Sequence, residues 1–338
     1  MPVRQAETEN VVALAPGATG GRGVDAPSAS REGAERPLAQ GHVGFIGLGR
    51  MGSAMAANLA ASGLGVVAYV RRAQQVEELA ALGLPATTRI DDVLGCEVII
   101  TMLPDDDAVA EVVLGRSDAR ADGLVQRMAP SAIHISMSTI SPALATRLAG
   151  EQARRGQGYV AAPVFGNPDA AKARQLYIIA AGAAADLDRC EAIFAALGQK
   201  VFRVGDDPAT ANLIKLAGNA MSAVTLEILG EVLALARKSG CDPQQLLAIF
   251  TGTMFDGRIH KIYGGKIAAQ QYGLGGFVFP LALKDVRLAL DAAERAGVPM
   301  PAVSVVRDRL ITGIARGYSQ RDWTALGKLA EEEAGLVA

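Results

Sequence analysis

The segment Val43-Gly44-Phe45-Ile46-Gly47-Leu48-Gly49-Arg50-Met51-Gly52 limits what this chain can fold into more than any other. An apolar strand runs straight into Gly47-x-Gly49-x-x-Gly52, and a helical pattern follows from Ser53 to Ala61. Each glycine has its own task at such a junction. Gly47 permits the tight turn, Gly49 lets backbone approach a pyrophosphate, and Gly52 lets the helix lie close to the strand. Leu48, Arg50 and Met51 fill the turn. The helix N-terminus beyond it offers unpaired N–H groups and the positive end of a dipole. A strand before and a helix after make the glycines a dinucleotide site rather than an ordinary turn.

The second strand indicates which dinucleotide. Val66–Val70 is the next apolar run, and it ends about twenty residues beyond the glycines, where an acidic residue would bind a ribose 2′-hydroxyl. Arg71 and Arg72 stand there instead. A guanidinium accepts no hydrogen bond but pairs well with a 2′-phosphate, so NADP(H) is favoured over NAD(H).

The chain has 338 residues, enough for two domains, with 50% hydrophobic residues, 20% charged residues and a net charge of −2. There is no basic run, and aromatics at 4% are too few for a base-stacking platform, which excludes nucleic acid as a partner. No apolar stretch approaches the ~20 residues expected of a membrane span. Cys96, Cys190 and Cys241 are widely separated and read as small buried residues of a reducing, cytoplasmic protein. His42, His134 and His260 lack metal-ligand spacing, so no metal is expected. Residues 1–40 are rich in Ala, Gly, Pro and Ser, without an apolar h-region and without the acid-poor character of a transit peptide. They predict a disordered leader.

From residue 41 to about 205, short apolar runs alternate with helical ones, the pattern of a parallel sheet covered by helices. Strands are predicted over 43–47, 66–70, 98–102, 132–136, 158–162, 176–181 and 200–204. Helices are predicted over 51–62, 73–82, 107–114, 142–155 and 187–197. Beyond 205 the strand signal stops, and an all-helical domain is expected over 206–334. It begins with one long helix from Pro208 to about Ser239, apolar nearly all round and therefore buried. On that helix Asn212, Lys215, Asn219 and Ser222 fall within an arc of about 80°, a single polar stripe. A lysine there needs a partner or a task, unless it snorkels to a surface.

Other polar groups follow strand ends, where open α/β sheets bind ligands. Ser138 and Thr139 lead into a helix at Pro142, a place where a serine also serves as N-cap. Met102-Leu103-Pro104 follows another strand, and Pro163-Val164-Phe165-Gly166-Asn167 a third, where a turn can aim N–H groups at an anion.

Together these segments resemble the β-hydroxyacid dehydrogenase family, which includes 3-hydroxyisobutyrate dehydrogenases and glyoxylate or succinic semialdehyde reductases. The resemblance runs from residue 42 to about 330 and rests on four motifs in order: Gly44 to Gly52, Ser138-Thr139-Ile140-Ser141-Pro142, Lys215-Leu216-Ala217-Gly218-Asn219, and Leu283-Lys284-Asp285-Val286. It implies an α/β Rossmann domain, a long interdomain helix and an all-α domain similar to that of 6-phosphogluconate dehydrogenases. It further implies Lys215 as general acid and base beside Asn219, with Ser138, Thr139, Gly166 and Asn167 holding substrate. Lys284 would reach the cofactor side of a closed cleft. The chain departs from the family at Phe165, where a small hydroxyl is usual, so a donor is lost and a bulky ring added.

The expected activity is NADP(H)-dependent interconversion of a small aldehyde or keto acid with its hydroxy acid. Two alternatives stand beside it: an imine reductase-like enzyme, a group typically carrying Asp or Tyr in place of Lys215, and a non-catalytic NADP-binding protein. The apolar long helix and the Ala/Leu-rich second domain suggest a homodimer or larger homo-oligomer.

Overall fold

A computed structural model describes residues 42–81, 83–116 and 121–336. The expected leader over 1–40 lies outside them.

Six parallel strands form the main sheet: β1 (His42–Ile46), β2 (Gly65–Tyr69), β3 (Ala86–Thr87), β4 (Val98–Thr101), β5 (Ile133–Ser136) and β6 (Gly158–Ala161). Their spatial order is 3-2-1-4-5-6, the doubly wound arrangement that puts a ligand crevice where the order reverses between β1 and β4. Residues of β4, β5 and β6 are buried on both faces, which is why these strands read as continuous apolar runs rather than alternating ones. Successive residues still divide between two cores. Phe45 and Ile100 pack with Met55 and Leu59 on one face, while Ile46 and Ile99 pack with Val109 and Leu148 on the other. His134 of β5 is fully buried, its ring nitrogens meeting Thr101 Oγ1 at 2.9 Å and Gln152 Nε2 at 2.8 Å. Burial pushes its pKa down to about 3, so it serves as a neutral tie within the sheet.

A second sheet carries β7 (Val164–Phe165), β8 (Leu176–Ala180) and β9 (Gly198–Arg203). β8 runs antiparallel to β7 and parallel to β9. The pairing of Phe165 with Tyr177 fixes the backbone just before the Gly166–Asn167 turn.

The helix Pro208–Lys238 joins the two halves. Asp207 caps its start by accepting from the Ala209 N–H at 3.0 Å, with Pro208 in the first turn, and Arg237 and Lys238 suit its negative end. Ala211 belongs to a sheet core, whereas Leu216, Leu226 and Leu233 belong to a second core with the helices Phe279–Arg295, Pro301–Ala315 and Leu326–Glu333.

Four expectations need correction. The long helix is not buried all round: Leu213, Met221, Ile228 and Leu235 are half or more exposed. Contrary to the reading of the sequence, that helix is long and apolar enough to cross a bilayer by length and composition: its 18-residue apolar window has a mean hydropathy of 1.4, though 56% of that window is buried in the protein. The single helix expected over 187–197 is two, Ala184–Arg189 and Glu191–Leu197, broken at Cys190. Cys96 and Cys190 are buried, but Cys241 is exposed.

Candidate active site

One large cleft, about 1920 Å³, runs between the ends of the sheet strands and the helical half. The glycine turn forms one end. Gly47 adopts φ +102°, and a Cβ there would stand 2.3 Å from the Met102 carbonyl oxygen, so a side chain would push the two turns apart. At Gly52 a Cβ would come within 1.9 Å of the Gly47 carbonyl oxygen. Gly49 has open space on its Cβ side. No side chain caps the helix Arg50–Ala61, so its first N–H groups remain available to a phosphate. Leu48, Arg50 and Met51 line the cleft, as do Met102, Leu103 and Pro104 after β4. Arg71 and Arg72, both exposed, line it just beyond β2. Backbone approach, an uncapped helix and two guanidiniums fit a nicotinamide dinucleotide.

The other end is made of side chains. Lys215 and Asn219 are one helical turn apart and almost fully buried, at 8% and 9% exposure. Lys215 Nζ donates to Asn219 Oδ1 at 2.9 Å, and Asn219 Nδ2 donates to Asp285 Oδ2 at 2.5 Å. Asp285 is ion-paired with Lys284 at 2.6 Å, and Lys284 Nζ also donates to the Thr139 carbonyl at 2.7 Å. This chain of contacts spans the cleft. Arg50 makes a second bridge, donating to the Gly276 carbonyl at 3.1 Å. Burial pushes the Lys215 pKa down to about 8, with Asp285 opposing the shift and Lys284 adding to it.

Phe165 lies over the lysine, with Nζ 4.6 Å from the ring centre, a cation–π arrangement. The ring is seated against Gly218, where a Cβ would fall 2.4 Å from Phe165 Cζ. The bulky residue at 165 therefore requires the missing side chain at 218. Gly166 has φ +147°, and both it and Asn167 face the cleft, with Asn167 Oδ1 accepting from the Ala170 N–H at 2.9 Å to cap the helix Pro168–Lys172.

Two expected groups behave differently from the reading of the sequence. Ser138 is 1% exposed, and its hydroxyl accepts from the Leu103 N–H at 2.8 Å, tying two strand-end turns together rather than facing the cleft. Thr139 does line the cleft, and Ser141 is the residue that caps the following helix. On the polar stripe, Lys215, Asn219 and Ser222 line the cleft, whereas the Asn212 amide turns back to the Pro208 carbonyl. Asp285 and Gly218 were visible only as letters within matching motifs. Nothing in their local pattern signals contacts with Asn219 and Phe165.

Comparisons with known proteins agree with this architecture. Residues 42–205 match a model described as the NAD binding domain of 6-phosphogluconate dehydrogenase. Residues 209–330 match one described as the NAD-binding domain of NADP-dependent 3-hydroxyisobutyrate dehydrogenase. The chain is 37% identical over 288 residues to an uncharacterized oxidoreductase of Bacillus subtilis, covering 85% of this chain and 98% of that protein. It is 30% identical over 291 residues to the 2-hydroxy-3-oxopropionate reductase of Escherichia coli, covering 86% and 97%. A crystal structure of Mycobacterium tuberculosis 3-hydroxyisobutyrate dehydrogenase with L-serine superposes with a TM-score of 0.76 at 25% identity, covering 86% of this chain and 99% of that one. A Rossmann half with a glycine turn, a long connecting helix carrying Lys215 and Asn219, and relatives matched along nearly their whole length lead to one conclusion: this oxidoreductase belongs to the β-hydroxyacid dehydrogenase family.

Proposed function

We propose that this protein uses NADP(H) to interconvert a small aldehyde or keto acid and the corresponding hydroxy acid, with Lys215 as general acid and base. One observation carries the reading: a buried lysine, bonded to an amide, opens into the same cleft as the glycine turn. The nicotinamide, when bound, supplies or accepts the hydride. During reduction, protonated Lys215 stabilises the charge growing on the carbonyl oxygen and donates its proton there; in oxidation, neutral Lys215 removes the hydroxyl proton. A pKa of about 8 leaves both forms accessible near neutral pH. Asn219 orients the amine through its Oδ1, and Asp285 holds Asn219. Thr139 and the Gly166–Asn167 turn border the space where a substrate acid would lie. Arg71 and Arg72 support the NADP(H) preference.

The test is loss of NADPH absorbance with a panel of acid-bearing aldehydes, repeated with NADH. Turnover with an NADPH preference is expected; equal rates with both cofactors would remove the role of the two arginines. The presence of Lys215 weighs against an imine reductase-like or purely binding protein.

We also infer a homo-oligomer. Met221, Ile228 and Leu235 recur every seven residues on the exposed face of the long helix, beside Leu213. A second copy of the same helix would cover that stripe. Light scattering should give at least a dimer, and Met221→Glu with Ile228→Glu should reduce its mass. A monomeric parent would end the idea. The unpaired cysteines suit a reducing cytoplasm.

A further inference from the structure

The helical wall of the cleft contains an irregular segment. Residues 258–268 are continuously helical, but His260–Gly264 is a π-helical turn that passes into Gly265–Ala268. Such turns insert a residue into the helical register and recur at functional sites. Here Arg258, Ile259, Ile262, Tyr263 and Lys266 all line the cleft that also holds Lys215.

Two of these five residues are cations, and neither forms an ion pair among the described residues. Lys261, in the same segment, is paired with Asp256 and does not line the cleft. Lys266 Nζ stands 5.7 Å from the Tyr263 ring centre. Two acids of the helical half line the cleft, and both hold other groups. Asp285 serves Asn219 and Lys284, and Asp322 accepts from the Phe277 and Thr324 N–H groups. The helical wall thus offers an excess of positive charge to the cleft, with Lys215, Arg258, Lys266 and Lys284 against Asp285 and Asp322 in its lining.

Close to Lys215 the cations are engaged, Lys215 with Asn219 and Lys284 with Asp285. Phe165 turns the face of its ring to the ammonium and itself offers no hydrogen-bond donor. Ser138 is committed to the Leu103 backbone, and the carboxamide oxygen of Asn167 caps a helix. An acid group lying on the Phe165 ring would meet its negative face.

We propose that Arg258 and Lys266 form a distal anion subsite, so that the preferred substrate is an aldehyde whose acid group is separated from the carbonyl by an apolar linker. The linker lies against Phe165, Ile259 and Ile262, and the acid of a long substrate is read by the helical half, leaving the Gly166–Asn167 turn to shorter acids. This rests on the reductase reading above and narrows its substrate class.

The experiment is a chain-length series with NADPH, from glyoxylate to glutaric semialdehyde, each acid compared with the neutral aldehyde of equal length. KM should fall about tenfold or more from the shortest to the longest acid. Arg258→Gln and Lys266→Met should each raise KM for the long acid about tenfold, with a smaller effect on kcat and on the neutral aldehyde. Equal KM along the series, or a long-acid KM that moves in neither variant, overturns the subsite while leaving the reductase reading in place. A second readout needs no turnover. Trp323, the single tryptophan, lines the cleft, so glutarate added with NADP+ should change its emission in the parent and not in Arg258→Gln. Glutarate binding that depends on Arg258 in a protein that reduces no aldehyde would sink the reductase reading and keep the subsite. Binding that ignores Arg258 would sink the subsite alone.

Discussion

At one end of the cleft a short turn presents backbone, and at the other, side chains from separate segments converge. The glycine turn works by what is absent. Gly47 and Gly52 allow approaches that a single Cβ would block, and the groups offered to a ligand are N–H bonds and a helix end. The Lys215 end works by what is present: an amine, an amide, a carboxylate and an aromatic ring, each needing its own neighbour. Asn219 and Asp285 are 66 residues apart, and Lys284 reaches Thr139 across 145. The first end should therefore fail by steric insult and the second by loss of a functional group, with little crossover.

The largest expected effect breaks the second end alone. Lys215→Met should lower kcat by about 10²–10⁴-fold, the usual worth of a general acid, while NADPH affinity measured by fluorescence titration stays near that of the parent. Near-normal turnover would remove Lys215 from the mechanism. Next comes the converse, Gly52→Ala. Its new Cβ must displace the Gly47 carbonyl, an overpacking cost of about 1–3 kcal/mol that should appear as roughly ten- to hundredfold weaker NADPH binding. If affinity is unmoved, the turn is not the phosphate site.

Smaller changes sharpen the contrast. Replacing Arg71 and Arg72 together by Ala should erode the NADPH-over-NADH preference about tenfold, read as the ratio of kcat/KM values, because charge-assisted bonds to a phosphate are lost. Asp285→Asn should cost several-fold in kcat and move the pH profile. The negative charge of Asp285 raises the Lys215 pKa, so its removal lets that pKa fall below about 8. Reduction needs the ammonium, so its kcat/KM should begin to drop at lower pH than in the parent, while oxidation should rise earlier. An unshifted profile would mean that Asp285 does not act through Lys215.

Much of the sheet was legible because its strands are short, apolar and bounded by turns. Predicted and observed limits of β1, β2, β4, β5 and β6 agree within a residue or so. Two-residue strands such as Ala86–Thr87 and Val164–Phe165 went unseen because so short a run carries no period. The break at Cys190 was missed for a related reason: the apolar pattern continues through it, and no glycine or proline marks the interruption. Helical spacing put Lys215 and Asn219 on one face, and both line the cleft. The commitment of Ser138 to the Leu103 backbone was not, since a hydroxyl at a strand end has the same local signature whether it faces a ligand or a neighbouring turn.

The long helix divides the two kinds of knowledge. Sequence alone determined that Asn212, Lys215, Asn219 and Ser222 share one face, because 3.6 residues per turn is a property of the backbone. It also determined the glycine turn, whose steric demands are met within a few residues and one adjacent strand. Only tertiary structure decided that the face bearing Lys215 turns inward while an apolar face turns outward. That choice depends on what each face meets: Phe165, Asp285 and the helical core come from distant parts of the chain, and their packing outweighs the usual preference of a lysine for water.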